Sequence, residues 1–143
     1  ILDAVQDPGN LGTLIRTADA AAYDGVILGK GTVDVYNDKV LRASQGSLWH
    51  LEVVSLDLLQ DARPAFEAAG IPWLVTALHQ EAKAYQEVPA NQALALVLGN
   101  EGQGVSEEVI QVADQTIYIP MPGQAESLNV AVAGGILMFY FQA

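Results

Sequence analysis

The sequence predicts an α/β fold with a mostly parallel sheet and helices on both faces. Short, mainly apolar, strand-like runs recur at residues 2–5, 26–28, 51–54, 73–77, 94–98 and 116–119. Segments of helical period separate most of them, and that alternation is the signature of crossover connections. Glycine- and proline-rich turns follow three of the runs, which is where ligands of open α/β sheets bind.

The first helix is the clearest. Leu11, Leu14, Ile15, Ala18 and Ala22 form an apolar stripe, and Asn10 is the expected N-cap. A second helix is expected over 38–49, ended near Gly46. A third is expected over 58–69, bent or split by Pro64 and stopped at Gly70. Ser106, with Glu108 and Val109, opens a short fourth. The fifth is expected over 127–141 with Ser127 as an ordinary N-cap. It is apolar nearly all round and should be buried on most sides. Residues 80–92 read as the one long loop.

At 143 residues the chain makes one domain, long enough to bury roughly 70% of its unfolded surface. It begins at Ile1 inside a strand-like run, and is expected to be a trimmed domain of a longer protein that lacks its substrate-choosing N-terminal segment. There is no cysteine, which excludes disulfides and thiolate metal sites and accords with a reducing cytosol. The longest apolar stretch, 128–141, is too short to span a bilayer comfortably and is broken by Asn129 and Gly134-Gly135. His50 and His79 lack metal-ligand spacing.

The net charge of −11 is the reverse of the usual nucleic-acid footprint. Its distribution is uneven. Residues 1–50 hold six acids against four bases (Arg16, Lys30, Lys39 and Arg42), whereas residues 51–143 hold eleven against two. Whatever basic surface exists lies beside the first helix. A domain this acidic should bind nucleic acid weakly by itself.

Three blocks carry chemistry. Asp7-Pro8-Gly9-Asn10-Leu11-Gly12 leads into a helix bearing Arg16. Leu98-Gly99-Asn100-Glu101-Gly102-Gln103-Gly104 follows an apolar strand. Ile119-Pro120-Met121-Pro122-Gly123 precedes Glu126-Ser127-Leu128-Asn129-Val130. The second block fits neither the dinucleotide fingerprint nor the P-loop. Alone, Arg16 reads as a solvated partner of Asp19, and Ile119, Met121 and Leu128 as core. An amide such as Asn129 in an apolar helix must find partners.

The three blocks together, in order and spanning 2–139, resemble the SpoU family of SPOUT-class RNA ribose 2′-O-methyltransferases. The resemblance implies S-adenosylmethionine as cofactor, held by Leu98, Gly99, Gly104, Ile119, Met121, Ser127, Leu128 and Asn129, with no metal. It implies a catalytic set of Asn10, Arg16, Glu101 and Asn129, in which Arg16 activates the ribose hydroxyl and Glu101 holds Arg16 or the loop. Guanidinium is almost never deprotonated, so orientation and electrostatic stabilisation suit Arg16 better than a base role. The resemblance further implies a C-terminal trefoil knot, a homodimer, an rRNA or tRNA substrate and a cytoplasmic enzyme. Two other readings remain open on charge grounds: the same chemistry on a non-RNA acceptor, or a non-catalytic module for cofactor binding or dimerisation.

Overall fold

A computed structural model of the chain describes residues 1–90 and 92–142. Asn91, inside the expected long loop, and Ala143 lie outside the described residues. The elements run α1 (Pro8–Ala20), β1 (Gly25–Leu28), α2 (Asp38–Ser44), β2 (Glu52–Ser55), α3 (Arg63–Ala69), β3 (Trp73–Thr76), β4 (Lys83–Ala84), β5 (Ala95–Val97), α4 (Glu107–Gln111), β6 (Gln115–Tyr118) and α5 (Val130–Phe141). All strand pairs are parallel. β1 pairs with β2, and β4, β6, β3 and β5 lie in that order.

Leu2 stitches the two groups together. It bridges Leu28 at the end of β1 and Leu98 just beyond β5, so residues expected as a full first strand contribute a bridge. Leu2 N–H donates to the Ile27 carbonyl and Asp3 N–H to the Leu98 carbonyl, each over 2.8 Å.

Both faces are covered around β3 and β5, as buried apolar strands require, whereas β2 at the edge stays largely exposed. Val26, Leu28, Leu74, Leu96 and Ile117 pack with Leu11, Leu14, Ile15 and Leu137 of α1 and α5. Residues one step out of phase, Trp73, Val75, Ala95 and Val97, pack with Leu58, Ala62 and Val109 on the other side. The period-2 alternation of the strands thus splits one chain between two cores.

Several boundaries differ from expectation. α1 starts at Pro8 and its cap is Asp7, whose Oδ2 accepts Asn10 N–H at 2.9 Å. Proline pre-sets the φ of a first helical residue, so the preceding aspartate takes the cap and Asn10 falls inside the first turn. The third helix divides where Pro64 predicted, into a π-helical turn (Leu58–Ala62) and α3. The expected loop over 80–92 contains β4 and a short 3-10 turn, Tyr85–Glu87. α5 begins three residues later than expected: Ser127 and Leu128 precede it, and Asn129 is its cap. It is not buried on most sides either, for Val132 and Phe139 are 52% and 51% exposed and Ile136 stands 37% exposed. No helix among the described residues is long and apolar enough to cross a membrane.

Candidate functional site

The strands point their carboxyl ends at one rim, where the three sequence blocks meet. The glycine-rich loop after β5 is built around Asn100. Its Oδ1 accepts Gly102 N–H at 2.9 Å and Gln103 N–H at 3.0 Å, while its backbone pairs in both directions with Gly104. Asn100 Nδ2 donates to the Ala4 carbonyl at 2.8 Å, tying the loop to the segment before α1. Sequence reasoning passed over Asn100, because its long-range partner is a main-chain oxygen with no sequence signature.

Gly99 has a specific reason to be glycine. A Cβ there would collide with the backbone of Gly104 and Val105. The missing side chain lets the loop close on itself. Gly104 adopts φ +71°, in the left-handed region that favours glycine. Leu98 is buried, and both its backbone polar groups are already committed to the sheet, its N–H to Ile1 and its carbonyl to Asp3.

Glu101 stands on this loop and reaches α1. One oxygen accepts Gln6 N–H at 3.0 Å; the other accepts Asp7 N–H at 2.8 Å and Asn10 Nδ2 at 3.3 Å. Partial burial pushes its pKa up, but the Gln6, Asp7 and Asn10 donors outweigh this and hold the carboxyl below its ordinary 4.5. Asn10 Oδ1 in turn accepts Asn129 Nδ2 at 3.1 Å. Asn129 Oδ1 caps α5 by accepting Ala131 N–H at 2.8 Å and Val132 N–H at 3.2 Å. A continuous relay therefore runs Glu101–Asn10–Asn129, and each block contributes one member.

Arg16 stands apart from that relay. It lies four residues after Gly12, hence on the same side of α1. Gly12 is the contact point with α2, where a Cβ would strike Ala43 and come within 2.7 Å of the Val40 carbonyl. Arg16 is exposed along this seam and makes no ion pair among the described residues. Asp19, its expected surface partner, is bonded instead to His50 Nδ1 at 2.9 Å. Glu101 holds the loop and the start of α1; it does not hold Arg16.

The second rim segment leaves β6 through Ile119 and Met121. Among the described residues, 121–128 make no backbone hydrogen bond within the chain. Ser127 is exposed and Leu128 is 39% exposed. This row of unused donors and acceptors, next to an exposed leucine and the closed glycine loop, suits a ligand with one polar edge and one apolar face. An apolar cavity of about 360 Å³ lies elsewhere, at the amino ends of β1 and β5, with Gly25, Val26, Ala95 and Leu96 among its walls. It shares only Leu98 with the rim. No metal-ligating cluster occurs among the described residues.

Fold and rim define a doubly wound α/β domain whose three sequence blocks meet at the carboxyl edge of a parallel sheet. The family model described as the SpoU rRNA methylase family matches residues 1–139, and the chain belongs to that family. It is 49% identical to the Bacillus subtilis 23S rRNA (guanosine(2553)-2′-O)-methyltransferase RlmP, a match covering 99% of this chain and 56% of the relative. An AdoMet-bound rRNA methyltransferase from Sinorhizobium meliloti superposes with a TM-score of 0.89 at 34% identity, over 99% of this chain and 54% of that one. The SpoU methyltransferase AviRb from Streptomyces viridochromogenes, in complex with AdoMet, gives 0.88 at 34% identity, over 99% and 55%. The chain spans a little over half the length of these relatives.

Proposed function

We propose that this chain is the catalytic domain of an S-adenosylmethionine-dependent methyltransferase that acts on a ribose 2′-hydroxyl of ribosomal RNA. The observation that carries it is the Glu101–Asn10–Asn129 relay, which locks three separate blocks into one rim, with an exposed, unpaired arginine further along α1. The relatives named above supply the acceptor class. The chain itself supplies the polar residues that a passive module would have no need to keep.

The cofactor would lie against the unused backbone of 119–128 and the loop 99–104, with Leu128 beneath its apolar part. When bound, S-adenosylmethionine supplies a methyl group on a positively charged sulfur, which a ribose oxygen can take by in-line displacement. Glu101 is a positioning residue. Three donors occupy its oxygens and it stays ionised, which makes it a poor proton acceptor. Asn10 and Asn129 fix the starts of α1 and α5 against that loop. Arg16 presents its planar fork to the acceptor, orienting hydroxyl and neighbouring phosphate and stabilising the alkoxide as it forms. The hydroxyl proton passes to solvent, since guanidinium has no capacity to accept it.

The reading extends to the assembly. The exposed α5 residues Val132, Ile136 and Phe139 form a twofold interface between copies of the chain, the C-terminal segment is threaded as a trefoil knot, and the enzyme works in the cytoplasm. The remainder of the full-length protein selects the RNA, which accounts for a catalytic domain of charge −11. The test incubates full-length enzyme with labelled cofactor and unmodified ribosomal RNA, then digests to nucleosides. Label on a ribose 2′-oxygen supports the reading; label on a base, on protein or nowhere refutes it.

A further inference from the structure

We infer that Tyr36, Lys39 and Arg42 form a landing strip for the acceptor RNA beside its target nucleotide, with Tyr36 stacking on an unpaired flanking base and the two cations meeting phosphates of the same strand. The inference rests on the RNA-methyltransferase reading and adds the path the acceptor takes.

Free positive charge is scarce and concentrated here. Of the six lysines and arginines, Lys30 pairs with Asp57 and Arg63 with Asp114. Among the described residues the other four make no ion pair, although the chain carries 17 carboxylates. Three of those four, Arg16, Lys39 and Arg42, stand on the adjoining helices α1 and α2. Asp38 lies one turn before Arg42 yet does not bond it, and Asp34 is engaged with the backbone of Tyr36 at 3.0 Å.

Tyr36 is a large ring left in water, 63% exposed, with no hydrogen bond to its hydroxyl among the described residues. Its backbone is tied to the start of α2. Asp34 accepts its N–H, and the next residue, Asn37, caps α2 by accepting Lys39 N–H at 2.8 Å. Lys39 and Arg42 then follow one turn apart on the exposed side of α2, opposite buried Val40 and Ser44. An exposed aromatic face next to spaced cations is what single-stranded RNA uses: the base stacks and the backbone is neutralised.

The strip lies beside the rim. Val33 N–H donates to the Val5 carbonyl at 2.9 Å, so the segment leading to Tyr36 runs along the one leading to Asp7. The contact of Gly12 with Val40 and Ala43 lays α2 against the side of α1 that carries Arg16. A strand bound across Tyr36, Lys39 and Arg42 therefore reaches Arg16 along the seam. The exposed Trp49 is a poorer platform, because it lies next to His50, at the other end of α1 with Asp19.

The experiment measures binding of a fluorescein-labelled, mixed-sequence single-stranded RNA oligomer to full-length enzyme across a salt series, with cofactor affinity read by calorimetry. Tyr36→Ala should weaken RNA binding between about fivefold and a hundredfold at an unchanged salt slope. Tyr36→Phe and Tyr36→Trp should stay within about twofold of wild type, because either ring stacks. Lys39→Ala and Arg42→Ala should each weaken binding and flatten the slope of log affinity against log salt by about 0.7. All variants should bind S-adenosylmethionine as wild type does. Wild-type affinity in Tyr36→Ala, equal loss in Tyr36→Phe, unchanged slopes in the charge variants, or lost cofactor binding in any of them would overturn the inference. A wild type that binds RNA but methylates no ribose would defeat the functional reading alone, and the binding series would still decide the stacking. A wild type that binds no RNA would defeat both.

Discussion

Asn129 Nδ2 donates to Asn10 Oδ1 across 3.1 Å, joining the cap of α5 to the first turn of α1 over 119 residues of sequence. Asn129 uses both ends of its amide, the oxygen capping its own helix and the nitrogen serving the relay. Those two uses are separable. Asn129→Asp keeps a capping oxygen and loses the donor; Asn129→Ala loses both. Asn129→Ala should lower stability by about 1 kcal/mol in denaturant titration, whereas Asn129→Asp should stay close to wild type. Methyl transfer should fall at least about tenfold in both, equivalent to one lost hydrogen bond of about 1.4 kcal/mol. Full turnover in Asn129→Asp would show that the relay is only a helix cap.

Glu101 gives the rim a pH dependence whose sign is fixed. Its pKa is depressed in the folded chain, so its contribution to stability is present above the ordinary 4.5 and fades as pH falls through the lower folded value. Glu101→Gln removes it, because an amide has one acceptor oxygen and must turn its NH₂ toward the N–H of Gln6 or Asp7. Melting temperatures of the two proteins should differ most near neutral pH and converge in acid. A gap that widens as pH falls would contradict the assignment.

The exposed stripe on α5 predicts self-association. Val132, Ile136 and Phe139 recur at helical spacing, and Gly134, Leu137, Met138 and Phe141 face the core. Sedimentation equilibrium should return twice the protomer mass, and Phe139→Asp should raise the dissociation constant about thirtyfold or more, the loss of an interface anchor worth about 2 kcal/mol. A monomeric wild type at micromolar concentration would remove the interface.

β1, β3, β5, β6 and the split third helix were legible because their signals are local: short, mainly apolar runs, and a proline inside a helical pattern. Caps were harder. Asp7 and Asn10 are both good N-caps, and the deciding signal was Pro8, which marks the residue before it. Ser127 and Asn129 posed the same choice, and only the contact with Asn10 distinguishes them. α5 is apolar all round, so nothing in its sequence says which side meets water. The joint roles of Asn100, Glu101 and Asn10 depend on main-chain partners brought together by the fold. β4, two residues long and paired only with β6, leaves almost no pattern to read.

Arg16 carries the central claim: the relay holds the frame, and this exposed arginine acts on the acceptor hydroxyl. Single-turnover methyl transfer by full-length enzyme, with Arg16→Ala and Arg16→Lys beside wild type, tests it most directly. The rate should drop roughly 100-fold or more in Arg16→Ala, with cofactor affinity and melting temperature unchanged, and Arg16→Lys should recover little, since an ammonium does not reproduce the bidentate fork. Wild-type rates in Arg16→Ala under saturating RNA would contradict the account.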